Sequence, residues 1–318
     1  MGVTSWYAWA STLLQVAAVA VGGPLLMGLM AKVKARSEGR VGAPVVQPLR
    51  DLRKLLGKER LHARHSSVVL ALAPMVILAS TAMAVAISPL VSTRPLLSTS
   101  ADILVIVYLL LTGSAAAALG GLDVATAFGG MGASRAMTIG ALAEPALLVA
   151  VIAMSIQSRT SNLGGIVSAT LAHPDWVLGP SRLLALGALV IVVIAETGRI
   201  PVDNPATHLE LTMIHEAMVL EYAGPELAVT SLGEAMRLGL LFSLVANLIV
   251  PWGIATRPTA LALVAGVVFL GLKAAAVALG VALIEVRSAK LRLFRLPELL
   301  AGGFVLSVLA VVTGLVAR

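Results

Sequence analysis

The chain has 318 residues, of which 58% are hydrophobic and 12% are charged, and its mean hydropathy is +0.97. Soluble domains carry roughly 25% charged residues, so this composition excludes a water-soluble globular protein. With no cysteine the chain has no disulfide, thiolate metal site or Cys-ligated cluster, and its charge of +7 comes with too few aromatics, 4%, to indicate nucleic-acid binding.

Eight apolar segments are long enough to cross a bilayer, since a hydrocarbon core of about 30 Å needs roughly 20 helical residues. In chain order they are 8–31, 68–90, 103–122, 136–157, 176–195, 232–252, 258–284 and 299–317. The sequence therefore predicts an all-α integral membrane protein with about eight transmembrane helices in a single membrane domain, 1–318. The first segment lacks a basic start and a small-residue cleavage site, so we expect it to be a retained span.

Lys and Arg are concentrated in two of the connections. The connection 32–67 holds ten of them and 285–298 holds four, whereas the connections after the second, fourth and sixth segments hold one or two each. Cytoplasmic loops carry the excess of basic residues. We therefore expect the odd-numbered loops to be cytoplasmic, with structured loops at 32–67, 196–231 and 285–298.

Acidic residues cluster between the fifth and sixth segments. Seven of the 16 acids fall between Glu196 and Glu234, in a loop that begins Glu-Thr-Gly-Arg-Ile-Pro-Val-Asp-Asn-Pro at 196–205. Two prolines restrict its backbone, and 207–222 is predicted to be a helix with Glu210 and Glu221 on one face. Carboxyls near apolar walls tend to have raised pKa values, so these can pass protons. The alternative is a solvated acidic loop.

Ionisable residues also occur inside the apolar segments, where each costs roughly 2.5–3.5 kcal/mol and indicates function by default. Glu144 is the strongest candidate, because the adjacent Pro145 removes a backbone hydrogen bond and leaves a polar spot. For Lys273, function and ion pairing are equally supported. Three further charges could form a buried charged path with Lys273 or pair with one another at span ends, but side chains that reach the interface are the favoured interpretation; they are Glu234, Arg237 and Glu285.

Two other features have structural explanations. His208 and His215 lack the His-Glu-x-x-His arrangement of a zinc site, so no metal site is predicted. The pairs at 120–121 and 129–130 lack the spacing of a phosphate-binding loop, and helix packing explains these glycines.

The stretch 48–61 interleaves leucines with basic residues at helical spacing. This pattern predicts an amphipathic helix that lies on anionic lipid or docks against a partner. Its residues are Leu49, Leu52, Leu55 and Leu56 with Arg50, Arg53, Lys54 and Lys58.

Together these motifs resemble the respiratory complex I NADH dehydrogenase subunit 1 family. The resemblance rests on the 196–205 frame, on Glu210-Leu and Glu221-Tyr-Ala-Gly, on 47–59 and 289–295, and on Arg135 nine residues before Glu144. Ala206 and His208 stand where the quinone-reducing branch has acids, and three extra residues precede Glu221. The chain is therefore more similar to the branch of membrane-bound group 4 [NiFe] hydrogenases, which includes the formate hydrogenlyase and hydrogenase 4 membrane subunits.

The resemblance implies a non-catalytic membrane subunit of a hydrogenase or formate hydrogenlyase complex, in a prokaryotic inner membrane. It would anchor a soluble module and couple electron transfer to proton or sodium translocation. The chain itself would bind no cofactor, and the [NiFe] centre and iron–sulfur clusters would lie in hydrogenase-like large and small subunits and an iron–sulfur subunit. Antiporter-like membrane subunits and the lipid bilayer are the other expected partners. A quinone-site subunit of an NADH dehydrogenase-like complex and a free-standing ion transporter remain alternatives.

The resemblance also assigns roles to individual residues. Expected to relay protons or couple charge are Glu144, Glu196, Asp203, Glu210, Glu216, Glu221 and Lys273. Expected to order the loop or dock partners are Arg135, Arg199, Gln47, Asp51 and Lys54. Arg199 is expected either to pair with Glu196 or Asp203 and order the loop, or to be a positive-inside anchor.

Overall fold

The computed structural model describes residues 2–61, 63, 66–203, 213–291 and 295–316. Within these ranges the chain forms eleven α-helices, two short 3₁₀ helices and isolated β-bridges. The α-helices are α1 (Gly2–Ser37), α2 (Gln47–Leu56), α3 (Val68–Ile87), α4 (Ile103–Asp123), α5 (Ala127–Ser158), α6 (Leu163–Ala172), α7 (Pro180–Glu196), α8 (His215–Val219), α9 (Gly224–Ile249), α10 (Ala260–Arg287) and α11 (Leu296–Val316). The predicted all-α class is confirmed.

Seven helices of the described chain are long and apolar enough to cross a membrane. They are α1, α3, α4, α5, α9, α10 and α11. In the predicted fifth segment, Trp176 belongs to a 3₁₀ turn and α7 begins only at Pro180, so this helix has 17 residues. That length is the lower end of what a span needs.

The long helices alternate in direction, so their connections meet at two ends of the molecule. At one end, the carboxylate of Asp123 at the close of α4 accepts the Ser67 amide at 2.7 Å where α3 begins. Lys34 of α1 pairs with Glu285 of α10 at 3.1 Å at the same end. We call it the cavity end, after the cavity described below, and the opposite one the far end.

All four tryptophans of the chain lie at the far end. Trp6 and Trp9 are in the first turns of α1, Trp176 precedes α7, and Trp252 follows α9. Trp6, Trp9 and Trp252 are 44%, 56% and 48% exposed. Exposed indole rings in such positions are typical of a membrane–water interface.

Small residues allow the helices to approach closely. A Cβ added at Gly23 of α1 would lie 2.2 Å from the carbonyl oxygen of Ala235 on α9, and one at Gly129 of α5 would lie 2.6 Å from that of Gly121 on α4. Close backbone contact through glycine is common between membrane helices. The glycine pairs at 120–121 and 129–130 thus include packing contacts, as the sequence predicts.

The cavity end carries the two short helices α2 and α8. α2 overlaps the first part of the predicted amphipathic stretch 48–61 and has no buried residue. The predicted helix over 207–222 is wrong, because Met213 and Ile214 are not helical and α8 spans only His215–Val219. The carboxylate of Asp203 accepts the amides of Ile214 and His215, both at 3.2 Å, so it begins α8 from outside the helix.

Candidate functional site

A cavity of about 270 Å³ lies at the cavity end, between α1, α3, α4, α5, α7, α8 and α9. Part of its wall is apolar, with Met27, Ile77, Leu111 and Met137. Eight ionisable side chains also line it, namely Glu144, Glu196, Arg199, Asp203, His215, Glu216, Glu234 and Arg237.

One ion pair crosses the cavity from α7 to α9. The guanidinium of Arg237 donates to the carboxylate of Glu196, and these side chains are only 15% and 9% exposed. Arg237 also donates to the Ser114 hydroxyl on α4 at 2.6 Å. Charged partners at this burial interact far more strongly than on a solvated surface. The pair therefore fixes three helices around the cavity.

Asp203 is the anchor of the loop that follows α7. It is 2% exposed, and besides the two amides of α8 it accepts the ammonium of Lys290, 3.0 Å away, in the connection between α10 and α11. The amide of Leu291 donates to the Pro201 carbonyl at 2.9 Å in the same place. The Asp203 carboxylate thus connects the loop after α7, the start of α8 and the connection between α10 and α11.

The predicted pairing of Arg199 with Glu196 or Asp203 is wrong, because these acids pair with Arg237 and Lys290. Burial lowers the pKa of Arg199, while the carboxylates of Glu285, Glu234 and Glu216 act against this effect. Arg199 lines the cavity together with Glu234 and Glu216.

Gly198 brings the loop against His215. Its φ is +57°, in the left-handed region that favours glycine, and an added Cβ would lie 2.3 Å from the His215 ring. Burial and the charge of Arg237 lower the pKa of His215, and these effects outweigh the carboxylates of Asp203 and Glu196, which raise it. The imidazole is therefore held in its neutral form.

Glu144 reaches the cavity from α5, one residue before the proline inside that helix. Arg135, nine residues earlier on α5, donates to the Met213 carbonyl at 3.1 Å and so holds the segment that leads into α8. The cavity thus collects five predicted coupling or ordering residues, Glu144, Glu196, Arg199, Asp203 and Glu216.

Other predicted site residues lie elsewhere. Glu221 follows α8 and accepts the Thr126 hydroxyl at the start of α5, where a helix N-terminus favours negative charge. Lys273 lies towards the far end. Gln47, Asp51 and Lys54 are on α2, where the Gln47 amide donates to Asp51 at 2.9 Å. Glu210 lies outside the described residues, as do Ala206 and His208.

The sequence interpretation missed three cavity residues. For Glu234 and Arg237 the favoured interpretation was that they reach the interface, with a buried charged path as the alternative, and both line the cavity. His215 was considered only as a metal ligand, whereas in the described ranges no group of three or more His, Asp and Glu is arranged for a metal. Glu285 is likewise not at the interface, since it is 3% exposed. Three-residue spacing of Glu234 and Arg237 on one helix was the available signal.

Comparison with known proteins supports the family resemblance that the sequence motifs indicated. The NADH dehydrogenase family profile matches residues 10–316. Formate hydrogenlyase subunit 4 of Escherichia coli (strain K12) is 30% identical over 296 residues, 92% of this chain and 94% of the relative. Hydrogenase-4 component C of the same organism is 30% identical over 230 residues, 72% and 71% of the two chains.

Two more distant similarities extend the comparison. An NADH-quinone oxidoreductase subunit of Syntrophotalea carbinolica (strain DSM 2380 / NBRC 103641 / GraBd1) is 30% identical over 216 residues, 64% of each chain. A chain of the membrane-bound sulfane sulfur reductase, an archaeal respiratory membrane complex, superposes with a TM-score of 0.84 at 20% identity, covering 99% of this chain and 100% of that chain. The latter likeness concerns the fold alone.

Proposed function

Since this chain belongs to the NADH dehydrogenase family of complex I subunit 1-like membrane proteins, we propose that it is the membrane subunit of a hydrogenase or formate hydrogenlyase complex. It anchors the soluble module and couples electron transfer there to proton or sodium translocation. The resemblance inferred from the motifs is confirmed by the family match, and the multi-pass membrane class by the helices. Coupling, the partners and the orientation are the proposal.

The cavity carries the proposal. Eight ionisable side chains share one cavity of about 270 Å³ with apolar walls. In such a place a change in one charge alters the protonation of its neighbours, because the surroundings screen weakly. The Glu196–Arg237 pair links these ionisable side chains to α7 and α9, and Glu144 adds an ionisable side chain from α5. A redox step beside the cavity would therefore shift protons within it.

The charge distribution supports an orientation with the cavity end in the cytoplasm. The basic connections 32–67 and 285–298 both lie at this end, as positive-inside membrane proteins require. A soluble module with [NiFe] and iron–sulfur centres, made of hydrogenase-like large and small subunits and an iron–sulfur subunit, then docks beside the cavity. Antiporter-like membrane subunits are the proposed neighbours within the membrane, which is the prokaryotic inner membrane.

Glu144→Gln in the assembled complex tests the coupling role. The substitution keeps the shape of the side chain and removes its ability to carry a proton. We expect ions transported per electron to fall at least about tenfold, a modest value for loss of a proton-transfer group, while the subunits still co-purify. The measurement is ion uptake into inverted vesicles during donor oxidation, normalised to electron flow.

Glu298→Gln is the matched control, because Glu298 is an exposed acid in the first turn of α11 that does not line the cavity. It should leave the ratio unchanged. If Glu144→Gln also leaves the ratio unchanged, the cavity does not couple and the chain is an anchor.

Quinone binding is the second candidate, favoured by the apolar part of the cavity wall at Met27, Ile77, Leu111 and Met137. It predicts that quinone-site inhibitors block turnover of the purified complex. A free-standing transporter instead predicts purification without metal-containing partners. Mild-detergent isolation with metal analysis separates these from the hydrogenase subunit, which should bring nickel and iron with it.

A further inference from the structure

The far end contains a second polar site, where two helices end close to one another. α3 ends at Ile87 and α9 at Ile249, and each is followed by a non-helical segment. The segments meet through backbone bonds, with the Ala255 amide donating to the Val91 carbonyl at 2.9 Å. A backbone carbonyl at or beyond a helix end needs a hydrogen-bond donor from a side chain or from water.

Lys273, midway along α10, satisfies the end of α9. Its ammonium lies 2.6 Å from the side-chain oxygen of Asn247 and 3.1 Å from the carbonyl oxygens of both Val250 and Trp252. An ammonium has three donors. All three therefore have an acceptor in this cage of three oxygens, which we call the Lys273 cage.

The orientation of Asn247 is fixed by its other contacts. Its amide nitrogen donates to the carbonyls of Pro89 and Leu90, at 3.2 and 2.9 Å, and the residue is 1% exposed. The amide oxygen is therefore left to face the ammonium. The end of α3 thus orients a ligand at the end of α9.

The Lys273 cage has the chemistry of a cation site. All three ligands are neutral oxygens, and two of them are carbonyls just beyond the negative end of a helix dipole. Unwound carbonyls and half-helix C-termini are what membrane transporters use to bind sodium ions or protons. Among the described residues no acidic group pairs with Lys273, and the other cation at this helix end, Arg182, binds the Leu248 carbonyl at 2.9 Å instead.

We propose that the Lys273 cage is a monovalent-cation site whose occupant is the lysine's own ammonium. The tethered ammonium and a free alkali cation exclude one another there, so removing the ammonium while leaving its space creates a site for sodium or potassium. The site is separate from the cavity and does not rest on the proposed function, since the purified chain alone tests it.

Lys273→Ala is the test, with thermal unfolding of the full chain in detergent measured in NaCl, KCl and choline chloride at equal ionic strength. Choline is too large for a cage built around an ammonium. We expect Lys273→Ala to unfold about 2–4 °C higher in NaCl or KCl than in choline chloride, as ligand binding to the native state requires. The wild-type chain should unfold at the same temperature in all three salts.

Lys273→Met is the matched control, because its apolar chain lacks the charge yet fills the space, so it should not respond to the salt. Asn247→Ala added to Lys273→Ala removes one ligand and should abolish the response. Lys273→Ser is run in parallel, since its hydroxyl supplies an oxygen. Equal responses of Lys273→Ala and Lys273→Met, no response of Lys273→Ala, or failure of both Lys273→Ala and Lys273→Ser to fold in NaCl and KCl would overturn the proposal.

Discussion

The Glu196–Arg237 ion pair should be a strongly coupled element of the cavity, and a double-mutant cycle measures this directly. Glu196→Gln and Arg237→Met each remove one charge, and the double variant removes both. Breaking a fully buried pair from one side costs about 3–5 kcal/mol, whereas exposed pairs contribute about 0.2–1 kcal/mol. The side chains here are 9% and 15% exposed. We therefore expect a coupling energy of about 2 kcal/mol.

The single variants should differ in a defined order. Arg237→Met leaves the Glu196 carboxylate without its cation and also removes the hydrogen bond to the Ser114 hydroxyl. In Glu196→Gln, by contrast, Arg237 keeps its hydrogen bond to Ser114. Arg237→Met should therefore lower the free energy of unfolding more. The double variant should be more stable than the sum of the single effects allows, because neither member of the pair is left as a charge without its partner.

The assay is the free energy of unfolding in mixed micelles for the four chains of the cycle. The exposed pair Glu38–Arg40, with side chains 43% and 71% exposed, is the control and should show little coupling under the same conditions. Effects of Glu196→Gln and Arg237→Met that add to within about 0.5 kcal/mol would refute the reasoning.

Two further predictions concern the loop after α7. Gly198→Ala should lower the free energy of unfolding by at least about 1–2 kcal/mol, because the φ of +57° at this position is unfavourable for Ala and the new Cβ would contact His215. Gly187→Ala is the control, because its added Cβ would meet nothing within 4 Å. It should be neutral or slightly stabilising in the same assay. A Gly198→Ala chain as stable as Gly187→Ala would contradict the predicted contact. For His215, burial lowers the pKa below 6.5, so the folded chain binds fewer protons than the unfolded one and stability falls as the pH drops through 6.5. His215→Asn should reduce this loss between pH 7.5 and 5.5, and equal losses in both chains would exclude a buried neutral imidazole.

Sequence reasoning predicted the fold class and the acids of the cavity because both depend on local composition. Apolar runs of membrane length and the 196–205 frame are visible without knowing the contacts, and Glu144, Glu196 and Asp203 were singled out from them. The partners of these acids were not predicted. Glu196 pairs with a residue 41 positions away and Asp203 with one 87 positions away. Packing of distant helices decides such contacts, and helical periodicity does not carry that information.

The end of the predicted 207–222 helix shows the same limit. Its residues favour a helix locally, but the Asp203 carboxylate takes the amides of Ile214 and His215 and begins a new helix there. A capping residue normally precedes its helix directly, whereas this one lies 12 residues earlier than His215. Lys273 was recognised as a buried charge, but the carbonyls around it belong to a helix end that was predicted at Trp252 and occurs at Ile249.

The one-sided placement of the tryptophans makes the intrinsic fluorescence of the chain a spectroscopic label for the far leaflet. Trp6, Trp9, Trp176 and Trp252 all report from the end opposite the cavity. Emission that shifts on an event in the cavity therefore signals transmission through the helices, since none of these four indoles lines the cavity. The carbonyl of Trp252 is also a ligand of Lys273, so its emission is the optical readout closest to the Lys273 cage.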